Sequence, residues 1–144
     1  MVNNLNVSKY TGVPPQSDTA DRKIAGGPIY SSTDVQNLLG NNGSNIIAWT
    51  NKCSDDMQKN SLDLEDVEKI ISACFSSRSY FKGSEWCKQA PTGPWAACDA
   101  YVVFFNQWNE YAYKELEYEY YIKYAIAKSG KVLLTVSCHG PEER

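Results

Sequence analysis

Alternating polar and apolar side chains near the C-terminus constrain the fold of this chain more than any other feature. Between Tyr118 and Ala127 the side chains fall into two alternating sets, which are Tyr121, Lys123, Ala125, Ala127 and Tyr120, Ile122, Tyr124, Ile126. A period of two is typical of a β-strand with one buried face and one face open to a ligand. Lys131 to Cys138 is a second β-prone run, and Ser129-Gly130 before it predicts a tight hairpin turn.

The sequence before this hairpin predicts one more strand and several helices. Ala100 to Phe105 is apolar and β-prone, whereas apolar residues recur at helical spacing from Leu64 to Phe75, after Asp63 as a cap. Shorter helices are expected over Ser32 to Leu39 and Ser54 to Lys59. The expected fold class is therefore α+β, with N-terminal helices packed on a twisted antiparallel sheet of three to four strands.

Two segments lack a clear period. We interpret Lys82 to Pro94, which contains glycine and proline, as a surface loop. Residues 1–28 contain Pro14-Pro15 and Gly26-Gly27, and we interpret them as a flexible N-terminal arm ahead of one domain over residues 29–144.

Composition excludes several classes of protein. A hydrophobic fraction of 42% argues against disorder. Because no apolar run approaches the roughly 20 residues of a membrane helix and the N-terminus does not resemble a signal peptide, we expect a cytoplasmic protein with no membrane partner. The five cysteines are widely spaced and form no C-x-x-C pair, so we expect reduced thiols, no metal site and no cofactor.

The net charge of −3 argues against nucleic-acid binding spread over the whole surface, since cationic contacts to phosphate supply most non-specific affinity. Any RNA-binding face must therefore be local. Acidic residues concentrate at Glu110, Glu115, Glu117 and Glu119, which indicates that the sign of the surface potential changes across the molecule.

His139, Lys82 and Tyr121 are the candidate catalytic residues. Metal-free RNA cleavage needs a base for the 2′-hydroxyl and cationic donors for the phosphate, and an imidazole ordinarily titrates at about pH 6.5. Lys123 shares a strand face with Tyr121, and a tyrosine can stack on a base or donate to a phosphate. The simpler interpretation keeps His139 as an exposed strand-end residue, Lys82 as a solvated charge and the tyrosines as sheet packing.

The order of segments along the chain resembles the MqsR family of toxins, a branch of the RelE-type ribonucleases. The resemblance covers Ile29 to His139. It rests on the following series: Ser32 to Leu39, Leu62 to Ile71, Ser79-Tyr80-Phe81-Lys82, Trp95 with Asp99-Ala100-Tyr101, Tyr121-Ile122-Lys123 and Leu134-Thr135-Val136-Ser137.

This resemblance implies a RelE-like fold, metal-independent cleavage of mRNA and neutralisation by a cognate antitoxin protein, and it leaves a role of the ribosome open. The family's lysine after the aromatic pair matches Lys82, and its strand tyrosine matches Tyr121. Its glutamine corresponds to Cys98, which has no amide donor, and the lysine after its final strand corresponds to His139.

The leading hypothesis is an endoribonuclease toxin of a toxin-antitoxin system. His139 would act as general acid or base, Lys82 with Lys123 or Arg78 would neutralise the phosphate, and Tyr121 would orient it. Substrate-binding candidates are thus Lys123, Arg78 and Cys98. The alternative is a non-catalytic acidic binding protein, such as an immunity protein or a phage-encoded inhibitor, which holds a basic partner.

Overall fold

The computed structural model describes residues 5–140, in which one mixed six-stranded sheet carries three short helices. In chain order the elements are β1 (Lys23–Ile24), α1 (Ser32–Gln36), β2 (Ile46–Ala48), α2 (Asn51–Lys59), α3 (Leu64–Ala73), β3 (Tyr80–Lys88), β4 (Trp95–Asn109), β5 (Lys114–Ile126) and β6 (Leu133–His139). The strands lie in the order β1-β3-β4-β5-β6-β2. β2 is parallel to β6, and the other neighbours are antiparallel.

The predicted RelE-like α+β fold, with N-terminal helices on an antiparallel sheet of three to four strands, is wrong, because the protein is mostly β. Its helices have only 5, 9 and 10 residues, and its sheet has six strands. The segment interpreted as a loop from Lys82 to Pro94 contains most of β3. A register shift between Phe81 and Gly83 breaks the period of two there, which explains why β3 has no clear sequence pattern.

Several local predictions are confirmed. Asp63 caps α3 in a reciprocal capping box with Asp66, and the Ser31 side chain caps α1. β5 and β6 form an antiparallel hairpin, and Gly130 in its turn has φ +76°. α2 begins three residues earlier than predicted, because Thr50 and not Ser54 caps it.

α3 packs against one face of the sheet, which we call the helical face, whereas α2 lies along the outer edge of β6, where Asp56 accepts a hydrogen bond from the Cys138 N–H. Tyr101 of β4 and Ile122 and Tyr124 of β5 point to this face, and together with Ile70 and Ile71 of α3 they belong to one buried apolar cluster. The burial of this cluster is the main favourable contribution to folding. The opposite face of β4 and β5 is left for other contacts.

Residues 5–30 follow the sheet and do not extend away from it. Asn6 and Ser8 bridge to Trp95 and Ala127. The buried carboxylate of Asp99 accepts hydrogen bonds from the backbone N–H groups of residues 29 and 30, at 3.0 and 3.1 Å, and from the Ser84 hydroxyl at 2.6 Å. Asp99 is the register partner of Tyr124, whose side chain lies on the helical face. Its hydrogen bonds therefore hold residues 29 and 30 against that face. Within residues 5–140, no helix is long and apolar enough to cross a membrane.

Candidate functional site

A cleft of about 520 Å³ lies on the face of the sheet opposite α3, which we call the cleft face. The register aligns Ala100, Lys123 and Ser137 in one row across β4, β5 and β6, and Val102, Tyr121 and His139 in the next row. Directly paired residues of antiparallel strands share a face, so these two rows form the floor. The predicted division of β5 holds for Tyr121 and Lys123, which line the cleft, and for Tyr124, which belongs to the core cluster. It does not hold for Ala125, which is also in the core cluster, beyond a register shift between Lys123 and Tyr124.

Tyr121 and His139 are stacked on this floor. They are register partners on β5 and β6, and their rings lie 5.4 Å apart between centroids with an interplanar angle of 15°. Paired positions of neighbouring strands hold their side chains about 5 Å apart, so the stack follows from strand pairing. Tyr121 is only 8% exposed, which fixes the ring against which the imidazole rests.

Lys82 reaches the same tyrosine from the other side. Phe81 is paired with Tyr101 and Gly83 with Ala100, so Lys82 is the additional residue of a β-bulge. Bulges redirect side chains, and this one brings the Lys82 ammonium to 5.2 Å from the centroid of the Tyr121 ring. In the strand order, β5 lies between β3 and β6. The ammonium of Lys82, the phenol ring of Tyr121 and the imidazole of His139 therefore lie in a row across the cleft.

Lys123 is held in place by Glu85. Its ammonium donates to the Glu85 carboxylate at 2.6 Å. Burial alone would lower the pKa of Lys123, but the Cys87 thiol and the Glu85 carboxylate outweigh it and raise the pKa above its ordinary value. Lys123 is consequently a fixed cation whose charge Glu85 largely balances.

Two further lysines line the cleft, and sequence reasoning missed both of them. Lys23 comes from β1, inside the segment interpreted as an arm, and Lys52 comes from the first turn of α2. The Lys52 ammonium lies 3.0 Å from Asp56, whereas among the described residues neither Lys23 nor Lys82 forms a salt bridge. The cleft is thus locally cationic in a protein whose net charge is −3. Nothing in the sequence indicates this, since the three lysines come from separate elements.

The hydrogen bond of His139 defines its tautomer. Its Nδ1 lies 3.0 Å from the carbonyl oxygen of Gly140. Because a carbonyl oxygen can only accept, Nδ1 carries the proton in this contact. The neutral ring then has its lone pair on Nε2, which is the form that can accept a proton.

Two of the sequence-predicted residues do not line the cleft. Arg78 forms a two-pronged salt bridge with Glu117 on the extended part of the β4–β5 hairpin. Cys98 is 0% exposed, and burial, followed by its hydrogen bond with Cys87, raises the pKa of its thiol well above the ordinary value. The structure therefore brings together His139, Lys82, Tyr121 and Lys123 and leaves Arg78 apart from them. Cys98 is the register partner of the cleft residue Glu85, but its burial keeps it out of reach of a substrate.

No group of three or more His, Cys, Asp or Glu side chains within residues 5–140 is arranged to hold a metal ion. All five cysteines are buried free thiols. Comparisons with protein-family models, with curated proteins and with solved structures found no match.

Chemically, the cleft combines the imidazole of His139, the carboxylate of Glu85, which is paired with Lys123, and several cations. The Nε2 of His139 can take a proton from a hydroxyl group, and Lys82, Lys23 and Lys52 can bind an oxyanion. Both faces of the Tyr121 ring are close to neighbours, Lys82 on one and His139 on the other, so this ring is poorly placed to stack on a base. Its position suits it to hold the two reactive groups apart at a fixed distance.

Proposed function

We propose that the protein is a metal-independent endoribonuclease whose cleft binds one phosphodiester of single-stranded RNA. The observation that carries the proposal is the series of Lys82, Tyr121 and His139 across a single cleft. A proton acceptor and a cation on opposite sides of one rigid ring suit a reaction that removes a proton from one oxygen and adds charge to a neighbouring phosphate.

His139 is the general base in this proposal. Its Nε2 takes the proton of the ribose 2′-hydroxyl, the 2′-oxygen forms a bond to phosphorus, and the bond from phosphorus to the 5′-oxygen breaks. The 5′-oxygen takes a proton from water. The products are a 2′,3′-cyclic phosphate and a 5′-hydroxyl, and no oxidant, metal or cofactor takes part.

The lysines supply the charge that the phosphate needs. The Lys82 ammonium lies over the Tyr121 ring, on which His139 stacks, so Lys82 is proposed to bind a non-bridging oxygen at the reacting phosphate. Lys23 and Lys52 line the same cleft and would bind neighbouring phosphates of the strand. Lys123, balanced by Glu85, supports the floor and does not act as a base.

The biological role proposed for this activity is that of a toxin that cleaves mRNA and is neutralised by a protein antitoxin. It is supported by the ordered series of segments that resembles the MqsR family, two of whose matched positions, Lys82 and Tyr121, line the cleft. RNA cleavage by itself does not depend on this role.

The experiment is incubation of the purified protein with a defined, end-labelled RNA in the presence and absence of a chelator. Cleavage is expected in both, and His139→Ala is expected to lower the rate by about a hundredfold or more. His139→Gln, which keeps a polar side chain of similar reach, serves as a control for the fold. If wild-type protein leaves the RNA intact, the non-catalytic binding protein becomes the better assignment.

A further inference from the structure

Beyond the cleft, β4 and β5 continue as a two-stranded extension, which we define as residues 103–120 and call the hairpin arm. Val102 is the last β4 residue paired with β3, and Tyr121 is the first β5 residue paired with β6. Pairing between β4 and β5 nevertheless continues to Asn109 and Lys114. In the described part of the chain, no strand flanks the hairpin arm on either side.

One face of the hairpin arm combines aromatic rings with carboxylates. The register places on this face the pairs Phe104 and Glu119, Asn106 and Glu117, and Trp108 and Glu115. Trp108 is 49% exposed, and at the tip Tyr111 and Tyr113 are 100% and 80% exposed. Residues 103–120 contain four glutamates and a single lysine, so this aromatic surface is acidic.

Hydrogen bonds and a ring contact order the tip of the hairpin arm, which carries these exposed aromatic residues. The side-chain oxygen of Asn109 accepts hydrogen bonds from the backbone N–H groups of Tyr111 and Ala112, at 3.0 and 2.8 Å. Its amide donates to the Tyr118 hydroxyl at 2.7 Å. The Tyr113 ring lies edge-on to Trp108, with 5.5 Å between centroids. A preorganised aromatic surface loses little conformational entropy when it binds a partner.

The hairpin arm already binds one arginine of its own chain. Both terminal nitrogens of the Arg78 guanidinium donate to the Glu117 carboxylate, one of them at 3.0 Å. The Arg78 Cζ atom lies 5.0 Å from the centroid of the Phe104 ring. Arginine is suited to this combination, because its planar guanidinium can form two parallel hydrogen bonds and stack on an aromatic ring.

Trp108 and Glu115 bring together the same two kinds of group nearer the tip, without an arginine of their own chain. They are directly paired, whereas Phe104 and Glu117 are diagonal neighbours. Among residues 5–140, neither Glu115 nor Glu119 forms a salt bridge. The glutamates occupy alternate positions of β5, and an extended peptide presents its side chains at the same spacing. We propose that this face of the hairpin arm binds an extended, arginine-bearing segment of a basic partner protein, with one arginine held between Trp108 and Glu115.

A second copy of this chain is poorly suited to be that partner. The sequence has three arginines, of which Arg78 is bound to the hairpin arm and Arg22 lies over the Trp95 ring. The third, Arg144, lies outside the described residues. The proposal does not depend on RNA cleavage, since the hairpin arm and the cleft share no side chains in it.

The test uses the full chain and a fluorescein-labelled peptide in which arginine and threonine alternate. We expect Trp108→Ala to weaken binding of this peptide by about tenfold or more, as for an aromatic residue at the centre of an interface. Glu115→Gln combined with Glu119→Gln should weaken it to a similar degree, while Glu65→Gln on α3 should leave it unchanged. A peptide with lysine in place of arginine should bind at least about threefold more weakly, because an ammonium group lacks the planar fork.

Trp108→Phe keeps an aromatic ring and should retain most of the affinity, which separates loss of the ring from loss of the fold. Equal affinity of the wild type and of both hairpin-arm variants would overturn the proposal. It would also be overturned if Trp108→Ala weakened binding of a labelled RNA and not of the peptide. A dimer of the wild type that Trp108→Ala dissociates in sedimentation analysis would show that a second copy is the occupant instead.

Discussion

The imidazole of His139 lies almost parallel to the phenol ring of Tyr121, and the Lys82 ammonium lies 5.2 Å from the centroid of the same ring. One tyrosine thus contacts the proposed base and the proposed phosphate-binding cation. Its ring is contributed by a central strand whose backbone is fixed by pairing on both sides at this position. The sheet therefore fixes the position of Tyr121 relative to His139, and the Lys82 ammonium reaches the same ring from the bulge in β3.

Replacing the ring of Tyr121 should impair cleavage more than removing its hydroxyl. Tyr121→Leu removes both aromatic contacts and is expected to lower the single-turnover rate by about tenfold or more, since small displacements of catalytic groups are costly. Tyr121→Phe keeps the ring and should lower the rate only a few-fold. The measurement is single-turnover cleavage with saturating enzyme. A Tyr121→Phe rate as low as that of Tyr121→Leu would show that the hydroxyl, and not the ring, is what matters.

Lys23 and Lys52 should contribute to RNA binding through phosphate contacts. Lys23→Gln combined with Lys52→Gln is expected to reduce the slope of log affinity against log salt by about 1.4, since each contact to a single strand contributes about 0.7. Glutamine at position 52 can still donate to Asp56, which keeps α2 intact. Lys69→Gln with Lys131→Gln changes the net charge equally at exposed positions outside the cleft and is the matched control. An equal reduction in both double variants would mean that only net charge is being measured.

The free energy of unfolding should depend on pH through the titration of Asp99. The carboxylate of Asp99 accepts hydrogen bonds from the backbone of residues 29 and 30 and holds them against the helical face. Burial raises the pKa of Asp99 above its ordinary value of 3.8, although hydrogen bonds from Ser84 and from the two backbone N–H groups oppose the shift. A raised folded-state pKa means that the folded protein binds more protons than the unfolded chain. The contribution of Asp99 to stability is then complete below the unfolded pKa and falls as the pH rises through the folded pKa.

Asp99→Asn removes this titration and one hydrogen-bond acceptor. We expect it to lower the free energy of unfolding by about 1–3 kcal/mol, because the amide NH2 replaces a carboxylate oxygen that accepts a hydrogen bond from a buried N–H. The difference from wild type should narrow as the pH rises from about 4 to about 7. Urea unfolding across this range measures it. A difference that widened with pH would contradict a raised pKa of Asp99.

The sequence predicts a helix or strand correctly where the residues of that element alone produce its hydrophobic pattern. Asp63 and the apolar spacing after it define α3, and the alternation from Tyr118 to Ala127 assigned Tyr121 and Lys123 to one face. Elements that depend on tertiary contacts could not be predicted. β3 loses its alternation at the bulge of Lys82, and β1, with only two residues, forms because β3 provides an antiparallel partner.

The same distinction applies to the candidate site, since some of its residues could be predicted from the sequence and others could not. His139 and Tyr121 are neighbours because β5 and β6 form a hairpin whose turn is visible in the sequence. Lys23 and Lys52 reach the cleft from β1 and α2, which are far apart along the chain, so no motif links them. Arg78 was a reasonable phosphate-binding candidate by its charge alone. Its salt bridge with Glu117 forms because the hairpin arm is long. The predicted strand ended at Phe105, whereas β4 continues to Asn109.

The most direct test of the central claim compares one RNA oligonucleotide with a second that has a single 2′-deoxyribose at the cleaved position. If His139 activates the 2′-hydroxyl, the first is cut to a 2′,3′-cyclic phosphate and a 5′-hydroxyl, and the second remains intact at that position. Mass spectrometry of the products distinguishes these end groups. Cleavage of the deoxy-substituted strand at the same position, or a product with a 5′-phosphate, would contradict the account.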